Sequence, residues 1–348
     1  MVKIYYIGNI SNASTFYRGL LPLRLLPEVK VSYNSGAASG TSRFSTISAL
    51  APGDVLDTDV IFSARAADPQ TTNFLAQAKA NGKKIWVDYD DDFFFVEKND
   101  PYYAVLTSVR QSLIDQLVGA DLITVSTDHL RATFLKAIQN ALGGNYDARF
   151  ESKIHVVHNT MVPGFQSFPA LTADYFEKKI KEEKPHFLWR GDATHKRSFD
   201  MMRNFAKVNF TCIGVDSGLT GNNIRNVRGL ELTQYMKFIR TAGALCFLKP
   251  MHDINGNECK SDISALEGLT AGALTLASPK KEFIGKPWII NVVDDDWDMS
   301  ALADKVRALA PREMLDAYDR GVGFYRDERS FDKMQRLRLS HVERLMDS

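Results

Sequence analysis

Short apolar segments that alternate with longer segments of helical periodicity are the feature that most constrains the fold of this chain. The short segments are rich in β-branched and aromatic residues, as strands buried on both faces of a parallel sheet are. The alternation runs through two successive series, with a stretch of different character between them. The sequence therefore predicts an α/β protein with two successive parallel sheets covered by helices.

The two series supply eleven predicted strands. In the first series these are Lys3–Ile7, Val29–Tyr33, Asp59–Ser63, Lys84–Asp88, Asp121–Val125 and Lys153–His158. In the second they are His186–Arg190, Asn209–Val215, Ala244–Leu248, Ala273–Ala277 and Trp288–Val292. Helical spacing is found over Thr71–Asn81, over Asp128–Ala141, which follows the N-cap residue types Ser126 and Thr127, and over the amphipathic segment Ser330–Met346.

Length and composition agree with two domains. A chain of 348 residues with 45% apolar residues exceeds one ordinary domain and can fill two cores. The helical and strand patterns lapse between Pro163 and Pro185, which indicates a connection. We predict an N-terminal domain over 1–165, a linker over 166–185, a C-terminal domain over 186–325 and a C-terminal helix over 326–348.

Charge and cysteine usage exclude several classes of protein. The formal net charge is +1, from 43 basic and 42 acidic side chains, so no overall positive field would attract a polyanion. The three cysteines have neither CxxC spacing nor an even count, which disfavours a zinc cluster or a disulfide framework. No segment has the pattern of a signal peptide or a membrane span. We expect a cytoplasmic protein, either a monomer or a homodimer.

The segment that follows the predicted strand Ala244–Leu248 has the layout of a nucleotide pocket. A polar loop leads to a helix that we predict to begin near Lys260 and Ser261 and to end before Gly272. Backbone amides at a helix start, together with Lys260, attract a diphosphate. Glu267, about two turns along the helix, can accept hydrogen bonds from ribose hydroxyls.

A second candidate segment, Phe187–Asp200, opens the second series. An apolar strand ends at Gly191, and a polar loop and a helix follow. Cations there would neutralise the charge of a bound diphosphate. The candidates in this segment are the cations Arg190, Lys196 and Arg197, together with Gly191 and with His195 as a contact to donor or acceptor.

The first series carries two further candidates. Gly8 follows the first predicted strand and lets the backbone approach a ligand, and Arg18, ten residues on, is a phosphate or acceptor contact. Four carboxylates, those of Asp88, Asp90, Asp91 and Asp92, follow a later strand, at the sheet edge where α/β proteins bind ligands. Their mutual repulsion must be relieved by cations, hydrogen bonds or raised pKa values. An acceptor-activating base, an acceptor-binding carboxylate, a metal ligand and a structural helix cap are all open roles.

Together these segments resemble GT-B glycosyltransferases of the GT4-like type. Glu267 matches the second glutamate of that family's paired-glutamate motif, and the first falls at Cys259. The sequence is similar to the variant with a Lys-Ser pair before the helix, here Lys260 and Ser261. Tyr17-Arg18 resembles a segment near the start of such proteins, and the aspartate run is similar to one in compact, often phage-encoded members.

The resemblance implies two Rossmann-like domains that face each other across a cleft, with the C-terminal helix packing back across the lobes. It implies transfer of a sugar, with retention of configuration, from a UDP- or GDP-sugar to an acceptor hydroxyl. A transferase of this type would require no cofactor, and a divalent metal is not expected. Acceptors consistent with it are a hydroxymethylated pyrimidine in phage DNA, a glycan or a protein hydroxyl; a phage-encoded protein would act in the host cytoplasm.

Two other classes of function stay open at this point. In a phosphotransferase similar to haloacid dehalogenases, Asp88 and Asp90 would do the chemistry with Asp294–Asp296 as distant metal ligands. A non-catalytic protein that binds a nucleotide or glycan would keep Arg190, Lys260 and Glu267 without turnover.

Overall fold

The computed structural model describes residues 1–8, 17–33, 55–98, 100, 102–191, 195–293 and 296–347. The chain forms two compact units, which are each assembled from separate segments. Unit 1 consists of Met1–Thr160, Glu258–Ser261 and Phe331–Ser348, and unit 2 consists of Met161–Asn257 and Asp262–Ser330. The predicted domain and linker boundaries stay predictions. What the structure adds is that two short segments from the second half of the sequence belong to unit 1.

Unit 1 contains a parallel sheet of six strands in the order β2-β1-β3-β4-β5-β6. The strands are β1 Val2–Ile7, β2 Val29–Tyr33, β3 Val60–Ala64, β4 Lys84–Tyr89, β5 Leu122–Val125 and β6 Ile154–Val156. Its α-helices are Leu20–Arg24, Pro69–Ala80, Tyr103–Ser108, Arg110–Gly119, Asp128–Leu142 and Phe331–Asp347, with 3₁₀ turns at Gly143–Asn145 and Ala148–Lys153.

Alternate residues of the unit 1 strands enter two cores, one on each face of the sheet. Along β4, Ile85, Val87 and Tyr89 join one core with apolar residues of the helices Arg110–Gly119 and Asp128–Leu142. Trp86 joins the other core, to which the C-terminal helix contributes Val342 and Leu345.

Unit 2 also contains a parallel sheet of six strands, in the order β12-β11-β10-β7-β8-β9. The strands are β7 His186–Arg190, β8 Asn209–Gly214, β9 Ile224–Arg228, β10 Cys246–Lys249, β11 Leu274–Ala277 and β12 Ile289–Asn291. Its α-helices are Ala173–Lys181, Lys196–Phe199, Leu232–Thr241, Asn255–Glu258, Ile263–Thr270, Met299–Arg307 and Pro311–Phe324, followed by the π-helix Tyr325–Arg329; Lys281–Phe283 is a 3₁₀ turn.

The two sheets confirm the predicted α/β class, and the helix ends follow the expected capping chemistry. Thr127 accepts a hydrogen bond from the amide of Leu130 at 3.1 Å, as an N-cap residue does. Gly272 ends the helix Ile263–Thr270 with a φ of +74°, a conformation that favours glycine.

Two predictions of secondary structure differ from the structure. The edge strand β9 was not predicted, because its sequence, Ile-Arg-Asn-Val-Arg, alternates with charged and amide side chains instead of forming an apolar run. The helix predicted to begin near Lys260 and Ser261 begins at Ile263. Residues 258–261 instead belong to unit 1.

Candidate functional site

In each sheet the strand order reverses at one point. In unit 1 the reversal lies between β1 and β3, and in unit 2 it lies between β7 and β10. Open α/β sheets bind ligands outside the carboxyl ends of the two strands at such a point. The candidate residues of each unit can therefore be compared with a position that topology alone selects.

Arg190 and Glu267 lie together beside the reversal point of unit 2. Arg190 ends β7, and its Nε and Nη2 donate to the two oxygens of Glu267 at 3.0 and 3.1 Å. Tyr235 donates a further hydrogen bond to Glu267 Oε2 at 2.8 Å. The Glu267 side chain is 1% exposed, whereas that of Arg190 is 32% exposed. A buried carboxylate thus fixes a guanidinium that still reaches solvent.

Tyr235 was not singled out from the sequence. Burial raises the pKa of its hydroxyl well above the usual value, and the charge of Glu267 raises it further. The phenol therefore stays protonated and donates to the carboxylate. Its position on the helix Leu232–Thr241, 32 residues from Glu267, gives the sequence no local signal for this contact.

Gly191 is required by the packing of the strand that it ends. A Cβ atom at Gly191 would lie 2.5 Å from the Trp189 ring and 3.0 Å from the Cβ of His195. Gly214, at the end of the neighbouring β8, has a φ of +104°, and a Cβ there would lie 2.1 Å from the Gly191 carbonyl oxygen. The close approach of the two backbones therefore excludes a side chain at Gly214, and the Trp189 ring excludes one at Gly191.

The other candidates after β7 lie close to solvent. His195 precedes the short helix Lys196–Phe199 and is half-buried. Lys196 is 53% exposed and forms an ion pair with Asp200, and Arg197 is exposed. Residues 192–194 of this loop lie outside the described residues, as do Asp294 and Asp295 of the phosphotransferase hypothesis.

A histidine that the sequence did not single out links the loops after β7 and β10. The Nδ1 atom of His252 lies 3.0 Å from Ser198 Oγ. Asn257 Nδ2 donates to the His252 carbonyl oxygen at 2.8 Å and lies 3.4 Å from Nδ1. Asn257 therefore holds the loop after β10, and His252 joins that loop to Ser198.

In unit 1, Arg18 is held by Asp88. Its Nε and Nη2 donate to the two Asp88 oxygens at 2.8 and 2.6 Å, and its Nη1 donates to the Val157 carbonyl and to Asn159 Oδ1. The side chains of Arg18 and Asp88 are 1% and 5% exposed. Thr124 donates a further hydrogen bond to Asp88 at 2.6 Å. Arg18 therefore ties β4 to the chain that follows β6.

Asp90 and Asp91 share a cation that the sequence did not single out. Arg65, which follows β3, donates from Nη2 to Asp91 Oδ2 at 2.9 Å, and its Nε lies 3.3 Å from Asp90 Oδ1. Lys260 forms an ion pair with the other oxygen of Asp91. The expected relief of repulsion in the aspartate run is thus provided by cations. The sequence signal for Arg65 was a lone charged residue at the end of an apolar strand.

Asp92 has a different environment from its neighbours. Its Oδ1 accepts hydrogen bonds from the backbone amides of Phe94 and Phe95 at 2.8 and 3.1 Å. The residue is 6% exposed. This arrangement caps the turn after β4, which agrees with the structural role left open from the sequence.

The segment Glu258–Ser261 brings Lys260 and Ser261 to unit 1. Cys259 is fully buried in the core of that unit, and its carbonyl accepts a hydrogen bond from Thr127 at 3.1 Å. Burial, together with the charge of Asp92, raises the pKa of the Cys259 thiol to about 12. Ser261 Oγ accepts from Asn159 Nδ2 at 2.7 Å. Asn159 therefore links Ser261 to Arg18.

The residue that precedes the helix Ile263–Thr270 belongs to a buried charge cluster in unit 2. Asp262, with a side chain 1% exposed, pairs with Lys286 and lies 3.7 Å from Arg329. Glu282 binds the same two cations, at 3.4 and 2.9 Å. The Asp262 carboxylate is thereby committed to this cluster and does not cap the helix.

Gly8 ends the described part of the first loop. A Cβ at this position would lie 2.2 Å from the hydroxyl oxygen of Tyr6, so the tyrosine requires glycine there. Residues 9–16 of the loop lie outside the described residues. Within the described ranges, no group of three or more His, Cys, Asp and Glu side chains is placed to hold a metal ion. No helix in that part of the chain is long and apolar enough to cross a membrane.

Comparisons with known proteins bear on the fold. No family model matches the sequence, and no curated protein matches it. The structure of HepE from Anabaena in complex with UDP and glucose is similar over 99% of this chain and 100% of that chain, with 10% identity and a TM-score of 0.58. The chain has the GT-B fold. The structure of TarM is similar over 83% of this GT-B chain and 55% of the TarM chain, with 13% identity and a TM-score of 0.51.

Proposed function

We propose that this GT-B chain is a glycosyltransferase that moves a sugar from a nucleotide sugar to an acceptor hydroxyl. The observation that carries the proposal is the Arg190–Glu267 pair at the reversal point of the unit 2 sheet. This is the position at which an α/β sheet binds a ligand, and an oriented guanidinium recognises phosphate. The full-length likeness to HepE, whose structure contains UDP and glucose, supports a UDP-sugar as donor.

The donor residues are proposed as follows. Arg190 and Lys196 contact the diphosphate, and Gly191 allows the backbone to approach it. Glu267 orients Arg190 and uses a remaining lone pair to accept from a ribose hydroxyl, since each carboxylate oxygen can accept more than one hydrogen bond. Lys260 stays a predicted diphosphate contact; in the structure it belongs to unit 1 and forms an ion pair with Asp91.

The transfer reaction depends on departure of the diphosphate and does not require a strong nucleophile. The acceptor oxygen forms a bond to the anomeric carbon, the bond from that carbon to the phosphate oxygen breaks, and its electron pair goes to the leaving diphosphate. Cations stabilise the charge that develops there. We propose retention of configuration, with the acceptor proton passing to the leaving phosphate and no requirement for a metal.

The acceptor side is proposed to lie on unit 1. Asp90 and Asp91 lie at the carboxyl edge of the unit 1 sheet. Arg65 and Lys260 orient them. Arg18 supports this edge through Asp88, and Asp92 supports the turn. A hydroxymethylated pyrimidine in DNA, a glycan and a protein hydroxyl are the proposed acceptor classes. Mass spectrometry of the products from one acceptor of each class, followed by NMR of the anomeric proton, tests acceptor and stereochemistry.

The environment of Asp88 favours transfer of a sugar over phosphotransfer. A haloacid-dehalogenase-type reaction needs this carboxylate to attack phosphorus. In this chain both oxygens accept from Arg18, one also accepts from Thr124, and the side chain is 5% exposed. A carboxylate so committed is a poor nucleophile.

Thermal-shift binding with UDP, GDP, ADP, CMP and their sugars, with and without a divalent metal, tests the donor site. We expect one nucleotide to stabilise the wild type and Arg190→Met to abolish the shift. Glu267→Gln should reduce it, because Arg190 loses its counter-ion. Lys207→Ala, which breaks an exposed ion pair with Asp304 in the same unit, is the matched control and should keep the shift.

Three outcomes separate the classes of function. Nucleotide binding with release of UDP from the UDP-sugar supports the transferase. Binding without release under any acceptor contradicts turnover and supports the non-catalytic alternative. A metal-dependent shift that is lost only in Asp88→Asn or Asp90→Asn would support phosphotransfer.

A further inference from the structure

Arg65 has a backbone conformation that few residues with a side chain adopt. It directly follows β3, next to the reversal point of the unit 1 sheet, and its φ is +56°. Its amide donates to the Asp88 carbonyl oxygen at 2.9 Å, which continues the pairing of β3 with β4 beyond Ala64. A long side chain in the left-handed region is unusual, and such positions collect at functional sites.

The conformation places the Arg65 guanidinium between two neighbouring carboxylates. Its Nη2 donates to Asp91 at 2.9 Å, its Nε lies 3.3 Å from Asp90, and its Cζ lies 5.5 Å from the centre of the Phe93 ring. The side chain is 9% exposed. The ring and the two carboxylates therefore restrict the guanidinium to one orientation, and it restricts the carboxylates in return.

The carboxylates that Arg65 orients are not buried as deeply as Asp88. Asp90 is 16% and Asp91 14% exposed, against 5% for Asp88. Arg18 and Asp88 form a structural pair below the edge of the sheet, whereas Arg65, Asp90 and Asp91 form a charged group at the edge itself. Lys260 adds a second cation to Asp91.

We infer that Arg65 is a positioning residue for the acceptor, acting through Asp90 and Asp91. The inference rests on the proposed function. Arg65 holds these carboxylates at a fixed angle, so that one of them accepts a hydrogen bond from the acceptor molecule and orients its reacting oxygen. Misplacing a group that orients a reactant costs rate on the order of 100-fold.

Substitutions at Arg65 can separate backbone strain from charge. Arg65→Gly and Arg65→Asn both suit a positive φ but remove the guanidinium, and Arg65→Lys keeps a positive charge without the planar fork. We would measure release of UDP from UDP-glucose with water as acceptor, the Kd for UDP by calorimetry and the Tm of each variant.

The expected result is a loss of rate without a matching loss of binding or stability. Arg65→Gly and Arg65→Asn should lower kcat by about 100-fold, with KM for UDP-glucose and Kd for UDP within about two-fold of wild type. Arg65→Lys should retain about a tenth of the rate, because charge without the fork only partly orients two carboxylates. The Tm of the Gly and Asn variants should stay near that of wild type, since relief of strain offsets the lost ion pairs.

Two results would overturn the inference alone: wild-type kcat in Arg65→Asn, or a fall in kcat that follows a fall in Tm across the series. A wild-type protein that binds UDP and releases it from UDP-glucose leaves the proposed function intact in both cases. A wild type that binds none of UDP, GDP, ADP and CMP would overturn the proposed function and this inference with it. If it binds another of these instead of UDP, the same variants are measured with the glucose derivative of that nucleotide.

Discussion

Hydrogen bonds stabilise the buried ion pair of Asp88 and Arg18 in unit 1. The guanidinium meets both carboxylate oxygens, and its remaining donors reach Val157 and Asn159. The desolvation of two charges is offset only when the geometry satisfies their hydrogen bonds in this way. Removing one member leaves the other buried without its counter-charge.

We therefore expect Asp88→Asn to lower the free energy of unfolding of unit 1 by about 3 to 5 kcal/mol, as loss of one partner from a buried pair does. Urea unfolding followed by fluorescence would measure it. The control is Asp57→Asn, which breaks a pair with Lys3 whose members are 75% and 39% exposed and should leave stability close to wild type. If both variants had the same free energy of unfolding, the contact of Asp88 with Arg18 would not contribute to the stability of unit 1.

The aspartate run also shows what a residue pattern can and cannot predict. Four carboxylates in five positions required compensation, and cations and amide hydrogens do compensate them. The identity of those cations had no local signal. Arg18 is 70 residues from Asp88, and Lys260 is 169 residues from Asp91.

At the scale of elements, the C-terminal helix brings a buried histidine to unit 1. His341 is 3% exposed, and its ring lies 4.8 Å from that of His155 and 6.3 Å from that of Trp86. Burial, together with the charges of the neighbouring His155, Arg344 and Arg338, lowers the pKa of His341 from 6.5 to about 4.

This histidine predicts a loss of stability in mild acid. The unfolded chain binds a proton near pH 6.5 and the folded chain only near pH 4, so stability is fully present above pH 6.5 and declines as the pH falls towards 4. Between pH 7.5 and 5 the loss should be about 2 kcal/mol. Urea unfolding at the two pH values, on wild type and on His341→Gln, would show this loss reduced in the variant; an unchanged loss would assign it to other groups.

The segment Glu258–Ser261 is the element whose position the sequence did not predict. Its motif resembled a donor-site signature, and a helix was expected to begin within it. Cys259, at the place of the family's first glutamate, is instead buried in the unit 1 core. A glutamate there would put a second carboxylate near Asp92, whose charge already raises the pKa of the Cys259 thiol. A cysteine at this position thus fits the burial of the segment.

At the scale of the whole molecule, unit 1 depends on residues from distant parts of the chain. Its cores include Cys259, Val342 and Leu345 besides residues of the first 160 positions. Each of these three side chains is at most 3% exposed. A fragment that ends at residue 160 would lose these contacts and expose the apolar faces that they cover.

We expect the fragment 1–160 to unfold without a cooperative transition. Joining residues 331–347 to its end through a flexible linker should restore a measurable transition, because Val342 and Leu345 then cover one face of the sheet again. Circular dichroism during urea titration would compare the two fragments. A cooperative transition in 1–160 alone would contradict the dependence on the distant segments.

Local sequence patterns were sufficient to predict the two parallel sheets, eleven of the twelve described strands to within a few residues, and the helix Phe331–Asp347. Those features follow from periodicity and capping, which act between residues close in the sequence. The sequence also identified Arg190 and Glu267 as candidate residues, and the structure places them in contact.

The pairing of charged side chains, in contrast, is a property of the folded chain. Arg65, Tyr235 and His252 acquire their partners because neighbouring strands and helices place their side chains together, over separations of 26, 32 and 54 residues. The fold also brings Lys260 to unit 1 and holds Arg65 at a positive φ. Such contacts depend on strand order and on the burial of segments from both halves of the chain, and no local pattern encodes either.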